Sequence, residues 1–176
     1  MTLPPPLDDI NAPSFAEDFF NIATLDDEIR VDGLCGRLLQ TFCRDLVAAG
    51  EEPLRAGQLA RGADYFLREF IIADRHDNLF HLDPLRVRQF AGHWYIIRNL
   101  EPNAAELREL LSGVEAFYRY CAEHDKVPRH IADAIAIACH HLDYYAERIE
   151  AFWAIVDDGF AAWQNGCPLQ SPNIYH

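Results

Sequence analysis

From Pro128 to Trp163 the chain reads PRHIADAIAIACHHLDYYAERIEAFWAIVDDGFAAW, with no proline after Pro128 and no glycine before Gly159. Within it Ile135, Ala138, Leu142, Tyr145, Ile149, Phe152 and Val156 recur at alternating steps of three and four, the spacing of an apolar seam along one helix. A helix from Ile131 to Val156, rising ~1.5 Å per residue, would run about 40 Å, the span of a small domain. The spacing therefore predicts an all-α fold built around this long C-terminal helix. His140 falls on a polar stripe with Asp133, Ala136, Asp143 and Glu147, and His141 on a partly apolar flank with Ile137, Tyr144 and Arg148. Adjacent helical residues point about 100° apart, so these two histidines are poor partners for one metal.

The rest of the chain supplies what would surround that helix. Residues 1–13 carry four prolines and read as an extended arm. Ser14-Phe-Ala-Glu17 has the form of a capping box, so a short helix is expected to Ile22, with Phe15, Phe19 and Ile22 on its apolar face. A second helix is expected from about Asp26 to Ala49, interrupted early by Gly33 and Gly36 as a break or a close helix crossing, and stopped at Gly50. Leu59, Ala63, Phe66, Phe70 and Ala73 mark a helix from about Arg55 to Asp74. Asp83-Pro84 opens another, with Val87, Phe90, Trp94 and Ile97 inward. Leu107, Leu110, Val114, Phe117 and Cys121 mark the next. Residues 165–176, with two prolines, read as an irregular tail. The expectation is one domain over residues 1–176, a bundle of about six helices.

A chain of 176 residues is long enough to bury roughly 70% of its unfolded surface without metal or disulfide staples. The five cysteines stand at least eight positions apart with no CxxC, so the usual zinc and redox spacings are missing. Four of them sit in expected helices, where a reduced thiol packs as a small hydrophobe, which points to a cytoplasmic compartment. MTLPPPLDDI lacks the basic and apolar regions of a signal peptide, and no 18-residue apolar run could span a membrane. The net charge of −13 argues against nonspecific binding to nucleic acid or anionic lipid. The charge is uneven: from Arg55 to His130 eleven basic and eleven acidic residues balance, so the acidic excess lies on the two ends.

Chemistry-bearing motifs are few. None of the three serines stands in GxSxG, and neither GxxxxGK[ST] nor GxGxxG occurs. A single lysine, Lys126, offers little for Schiff-base chemistry. Neither the paired Glu-x-x-His of di-iron bundles nor His-Glu-x-x-His is present. His76, His81 and His93 cluster around one helix junction but without ligand spacing, so no metal, cofactor or catalytic residue is expected.

Three functional classes follow. The first is a non-catalytic interaction or regulatory module that contacts a second copy of itself or another protein. Its contact would use Trp153, Phe160 and Trp163 in the C-terminal third, where few elements remain to cover aromatic rings. The second is a bundle that binds a small molecule, or an enzyme, with a site near His93, Trp94, Tyr118 and His141. The third rests on a resemblance. ADYFLREF, DPLRVRQFAGHWY and ELLSGVEAFYRYCAEHDKVP resemble the small helical core-binding domain of tyrosine recombinases over about a third of the chain. That resemblance implies a helical module contacting nucleic acid, a reading that a concentrated face of Arg61, Arg68, Arg86 and Arg88 would favour. The middle of the chain is neutral rather than basic, and there is no room for the family's catalytic domain.

Overall fold

A cap made of two side chains starts the first long helix. The Thr24 hydroxyl accepts the Asp27 N–H at 3.1 Å, and the Asp27 carboxylate accepts the N–H groups of Thr24 and Ala23 at 3.0 and 2.9 Å. This satisfies donors that a helix start leaves orphaned. The computed structural model describes residues 6–166, which hold seven helices and, among the described residues, no strand. Helix α1 spans Leu25–Ala48. Helix α2 begins with an α segment, Pro53–Asp64, and continues without a break as a π-helix over Tyr65–Arg75. Helix α3 runs as Leu85–Gln89, a π turn Phe90–Trp94, and Tyr95–Arg98. Helices α4 (Ala104–Glu123), α5 (Arg129–Cys139), α6 (Leu142–Trp153) and α7 (Gly159–Asn165) follow.

The two π segments pack against each other through rings. Phe90 lies 5.1 Å from Phe66 and 5.6 Å from Phe70, and Trp94 lies 5.2 Å from Phe70 and 5.9 Å from Tyr65. Winding with i→i+5 hydrogen bonds changes which side chains face inward. Phe66 and Leu67 are buried together with Ile71 and Ile72, and Phe90 and Ala91 with Tyr95 and Ile96, each pair repeating after five residues. Ala73 and Ile97, expected inward from α-helical spacing, are exposed.

Helices α2 and α4 make the most extensive helix pairing of the bundle, and two glycines set its closeness. A Cβ on Gly113 would stand 2.3 Å from the Leu59 carbonyl oxygen, and one on Gly62 would stand 2.8 Å from that of Leu110. Around this crossing Phe42, Phe66, Phe70, Phe90, Tyr95, Phe117 and Tyr118 are fully buried and join one continuous apolar core.

The expected C-terminal spine is not one helix. It breaks at His140-His141, where His141 leaves helical geometry at φ −74°, ψ 43°. No glycine or proline causes this. The Tyr145 hydroxyl donates to the Ala138 carbonyl at 2.6 Å, satisfying an acceptor at the end of α5 that a continuous helix would bond from its backbone. A second break precedes α7, with Asp157 in the left-handed region at φ 50°.

Three smaller expectations also change. Residues 13–20 form two 3₁₀ turns, Pro13–Phe15 and Glu17–Phe20, and Ser14 donates its hydroxyl to Asp8 at 2.5 Å instead of capping a helix. Residues 6–13 are pinned onto α1: Ile10 is fully buried, the Thr41 hydroxyl donates to the Asp8 carbonyl at 2.8 Å, and Arg44 donates to that of Leu7 at 3.0 Å. Gly33 and Gly36 neither break α1 nor sit in a tight crossing, since a Cβ would meet nothing within 4 Å at the first and only the Arg68 guanidinium, at 3.8 Å, at the second. Asn165 ends α7, and residues 167–176 of the expected tail lie outside the described residues.

Candidate functional site

Helix α6 presents Leu142, Tyr145 and Ala146 toward the first turns of α4, where Ala104, Ala105 and Leu107 face them. Between the two lies a groove of about 310 Å³. Leu142, expected in the core from its place in the seam, is half-buried on this groove. Arg108 stands on the α4 bank and Asp143 on the α6 bank. Both are exposed, and neither has an ion-pair partner among the described residues. At the far end of α6 the Trp153 indole N–H donates to the Pro102 carbonyl at 3.1 Å. The end of α6 therefore meets the turn that leads into α4.

Several large apolar side chains on α6 and the neighbouring turns are exposed. Trp153 is 57% exposed, Val156 74% and Leu100, in the turn between α3 and α4, 97%. Phe160 is also exposed, its ring stacked 6.0 Å from that of Trp163.

Trp163 lies inside the bundle, unlike the other two aromatics of the expected contact. One contact of its ring is the His93 imidazole, stacked at 5.3 Å and 16°. Another is the Arg148 guanidinium, 4.0 Å from the ring centroid. Arg148 also donates from Nε to the Gly92 carbonyl at 3.0 Å and from Nη1 to the Trp163 carbonyl at 2.7 Å, while the Trp163 indole N–H donates to the Arg148 carbonyl at 2.9 Å. Burial, and then the nearby Arg148 charge, hold the His93 pKa below its ordinary value. The cluster fastens α7 to α3 and α6.

The four residues expected to form a ligand site are not gathered around one opening. His93 is stacked on Trp163. Trp94 packs among Tyr65, Phe70 and Phe90, under the Arg98 guanidinium. Tyr118 is fully buried and donates its hydroxyl to the Leu79 carbonyl at 2.7 Å, and burial raises its pKa far above the ordinary range. His141 is exposed at the break between α5 and α6. A cleft of about 410 Å³ opens elsewhere, between the end of α1, the start of α2 and α4, with Asp45, Arg55, Tyr120 and His124 among its walls. None of the four lines it.

Among the described residues no group of three or more His, Cys, Asp or Glu side chains is placed to hold a metal. The thiols of Cys35, Cys121 and Cys139 are buried, and burial pushes their pKa values up, away from the reactive thiolate. Of the four arginines that would make a nucleic-acid face, three are engaged within the chain. Arg68 pairs with Asp32 and Asp64 at 2.8 and 3.2 Å, Arg86 with Asp77 at 2.7 Å, and Arg88 lies over the Tyr144 ring. No helix among the described residues is long and apolar enough to cross a membrane.

Compared with protein-family models, with curated proteins and with solved structures, the chain matches none.

What could be missed from the sequence is the pairing of α4 with α6. Ala104, Ala105 and Arg108 look like an ordinary solvated helix start, and nothing local marks Pro102 as the partner of Trp153.

Proposed function

We propose that this chain is a non-catalytic protein-contact module. It binds its partner through the face formed by α6, the turn between α3 and α4, and the segment leading into α7. One observation carries this reading. Trp153 is more than half exposed, yet its one polar atom is already bonded to Pro102, so the ring is held in place with its apolar surface turned to solvent. A fixed aromatic anchor beside further exposed apolar side chains, here Leu100 and Val156, is the kind of feature that dominates protein interfaces. Arg108, Asp143 and the acidic residues of α6 form the polar rim such an interface needs.

The test uses the full chain carrying an affinity tag, with Trp153→Asp and Val156→Asp as separate variants. The Val156 side chain is exposed and apolar, so its replacement alters the surface and leaves the bond from the Gly159 N–H to the Val156 carbonyl in place. Proteins retained by the wild type, further copies of the chain included, are expected to be lost with both variants. Retention of the same proteins by folded variants would overturn the reading.

A further inference from the structure

We infer that α7 is an acid-released latch: protonation of His93 detaches this helix from α3 and α6 while the rest of the bundle stays folded. The inference goes beyond the contact reading and does not depend on it. Trp163 is the point of attachment, and two basic side chains share its indole. The Arg148 guanidinium lies 4.0 Å from the ring centroid, and the His93 imidazole stacks on the ring at 5.3 Å and 16°. Arg148 also bonds the backbone on both sides of the joint, at the Gly92 carbonyl of α3 and the Trp163 carbonyl of α7. A guanidinium stays charged at any ordinary pH, so one cation is permanent here. The second basic group is the one that titrates.

A proton added to His93 is poorly accommodated while α7 is docked. The residue is buried, and its Nδ1 has no hydrogen-bond partner among the described residues. Both nitrogens of an imidazolium carry a proton, so Nδ1 would become a buried donor without an acceptor. The new charge would gain some attraction to the indole face, but only beside the Arg148 charge already held there. The surrounding elements bring no anion to offset it among the described residues. Helix α7 has no charged side chain, and Asp143, Glu147 and Glu150 of α6 are exposed. On the π segment of α2, Arg68 pairs with Asp32, Arg75 with Asp74, and Glu69 is exposed. On α3 itself Arg86 pairs with Asp77, while Arg88 and Arg98 lie over the Tyr144 and Trp94 rings. Undocking α7 relieves the strain at least cost, because it returns His93 to water and breaks nothing in the α2–α4 crossing. It also uncovers Phe152, whose ring stands 5.1 Å from that of Trp163. The sign follows from linkage. Below about pH 6.5 the undocked form binds the extra proton, so docking is complete above that pH and weakens as pH falls toward the lower pKa of docked His93, by up to about tenfold per pH unit.

Hydrogen exchange on the full-length protein at about pH 7.5 and about pH 5, corrected for the intrinsic rate at each pH, tests the inference. Protection of the amides of residues 159–165 is expected to fall roughly tenfold or more at the lower pH, while those of α2 and α4 keep theirs. His93→Gln, which cannot be protonated, should hold α7 equally well at both. Unchanged protection of residues 159–165 in the wild type overturns the latch. So does an equal acid loss in His93→Gln, or a loss spread evenly over all seven helices. Should His93→Gln fail to dock α7 even at neutral pH, an NMR titration of the wild type decides instead. The His93 ring is expected to take up its proton over the same pH range in which α7 loses protection. A ring that titrates while α7 stays protected, or an α7 released while the ring is still neutral, overturns the inference.

Discussion

His93 is a residue whose environment works against its charge. The residue is 7% exposed, Nδ1 has no hydrogen-bond partner among the described residues, and Arg148 stands nearby. All three favour the neutral imidazole, so the folded-state pKa lies below the ordinary 6.5 while the unfolded chain keeps about that value. The sign follows from linkage. Between the folded and unfolded pKa values the unfolded chain binds more protons, so stability rises with pH. This contribution is complete above about 6.5 and is lost as pH falls toward the folded pKa. Urea melts between pH 7.5 and pH 5 should therefore show the wild type losing stability faster than His93→Gln, which keeps a polar ring-sized group but cannot be protonated. Parallel pH profiles for the two proteins would remove His93 as the source. The histidine was visible in the sequence as a member of a cluster around a helix junction. Its partner Trp163 was not, because seventy residues separate them and only the return of α7 onto α3 brings the rings together.

At the scale of elements, glycine shows how much of the fold the sequence carries. Gly33 and Gly113 both stand inside helices, and their neighbours in sequence look alike. In space they are opposites. Gly33 is exposed with nothing near its missing Cβ, so Gly33→Ala should stabilise the protein by about 0.5–1 kcal/mol through helix propensity alone. At Gly113 a Cβ would meet the Leu59 backbone at 2.3 Å, and backbone cannot step aside as a flexible side chain does. Gly113→Ala should cost about 1–3 kcal/mol or more, as overpacking does. Denaturant midpoints moving in opposite directions would bear out both, and a neutral Gly113→Ala would mean that α2 and α4 can part without loss. The helices themselves were legible: Gly50 as a stop and Asp83-Pro84 at the opening of α3 mark boundaries by local chemistry. The winding was not. Apolar pairs five apart, Phe66-Leu67 with Ile71-Ile72 and Phe90-Ala91 with Tyr95-Ile96, record the π turns, but in sequence they sit beside equally good α-helical spacings. The break at His140-His141 escaped for a related reason. It is accompanied by a Tyr145 hydroxyl reaching back to Ala138, a side-chain choice that helical spacing neither requires nor forbids.

Across the whole molecule, the two ends of the described chain are held by different means. The N-terminal segment is tied to α1 by backbone acceptors and by Ile10. The C-terminal end depends on one side chain. Helix α7 has seven residues, far short of the ~12–15 at which an isolated helix becomes marginal in water, so its order must come from packing. Trp163 supplies it, through ring contacts with His93 and Arg148 and through hydrogen bonds exchanged with Arg148. The chain between α6 and α7 is largely exposed, so α7 can separate without disturbing the α2–α4 pairing. Trp163→Ala should therefore act locally. Replacing a buried tryptophan by alanine removes about 3–5 kcal/mol of packing, enough to undock a single short helix, while the core built on Phe42, Phe66 and Phe117 keeps its contacts. Hydrogen exchange is the measurement that separates the two outcomes. Amides of residues 159–165 should lose their protection in the variant, and those of α2 and α4 should keep theirs. Protection lost evenly across all seven helices would instead make Trp163 part of one cooperative core, and the C-terminal helix would then be as much a foundation of the fold as the crossing at Gly113.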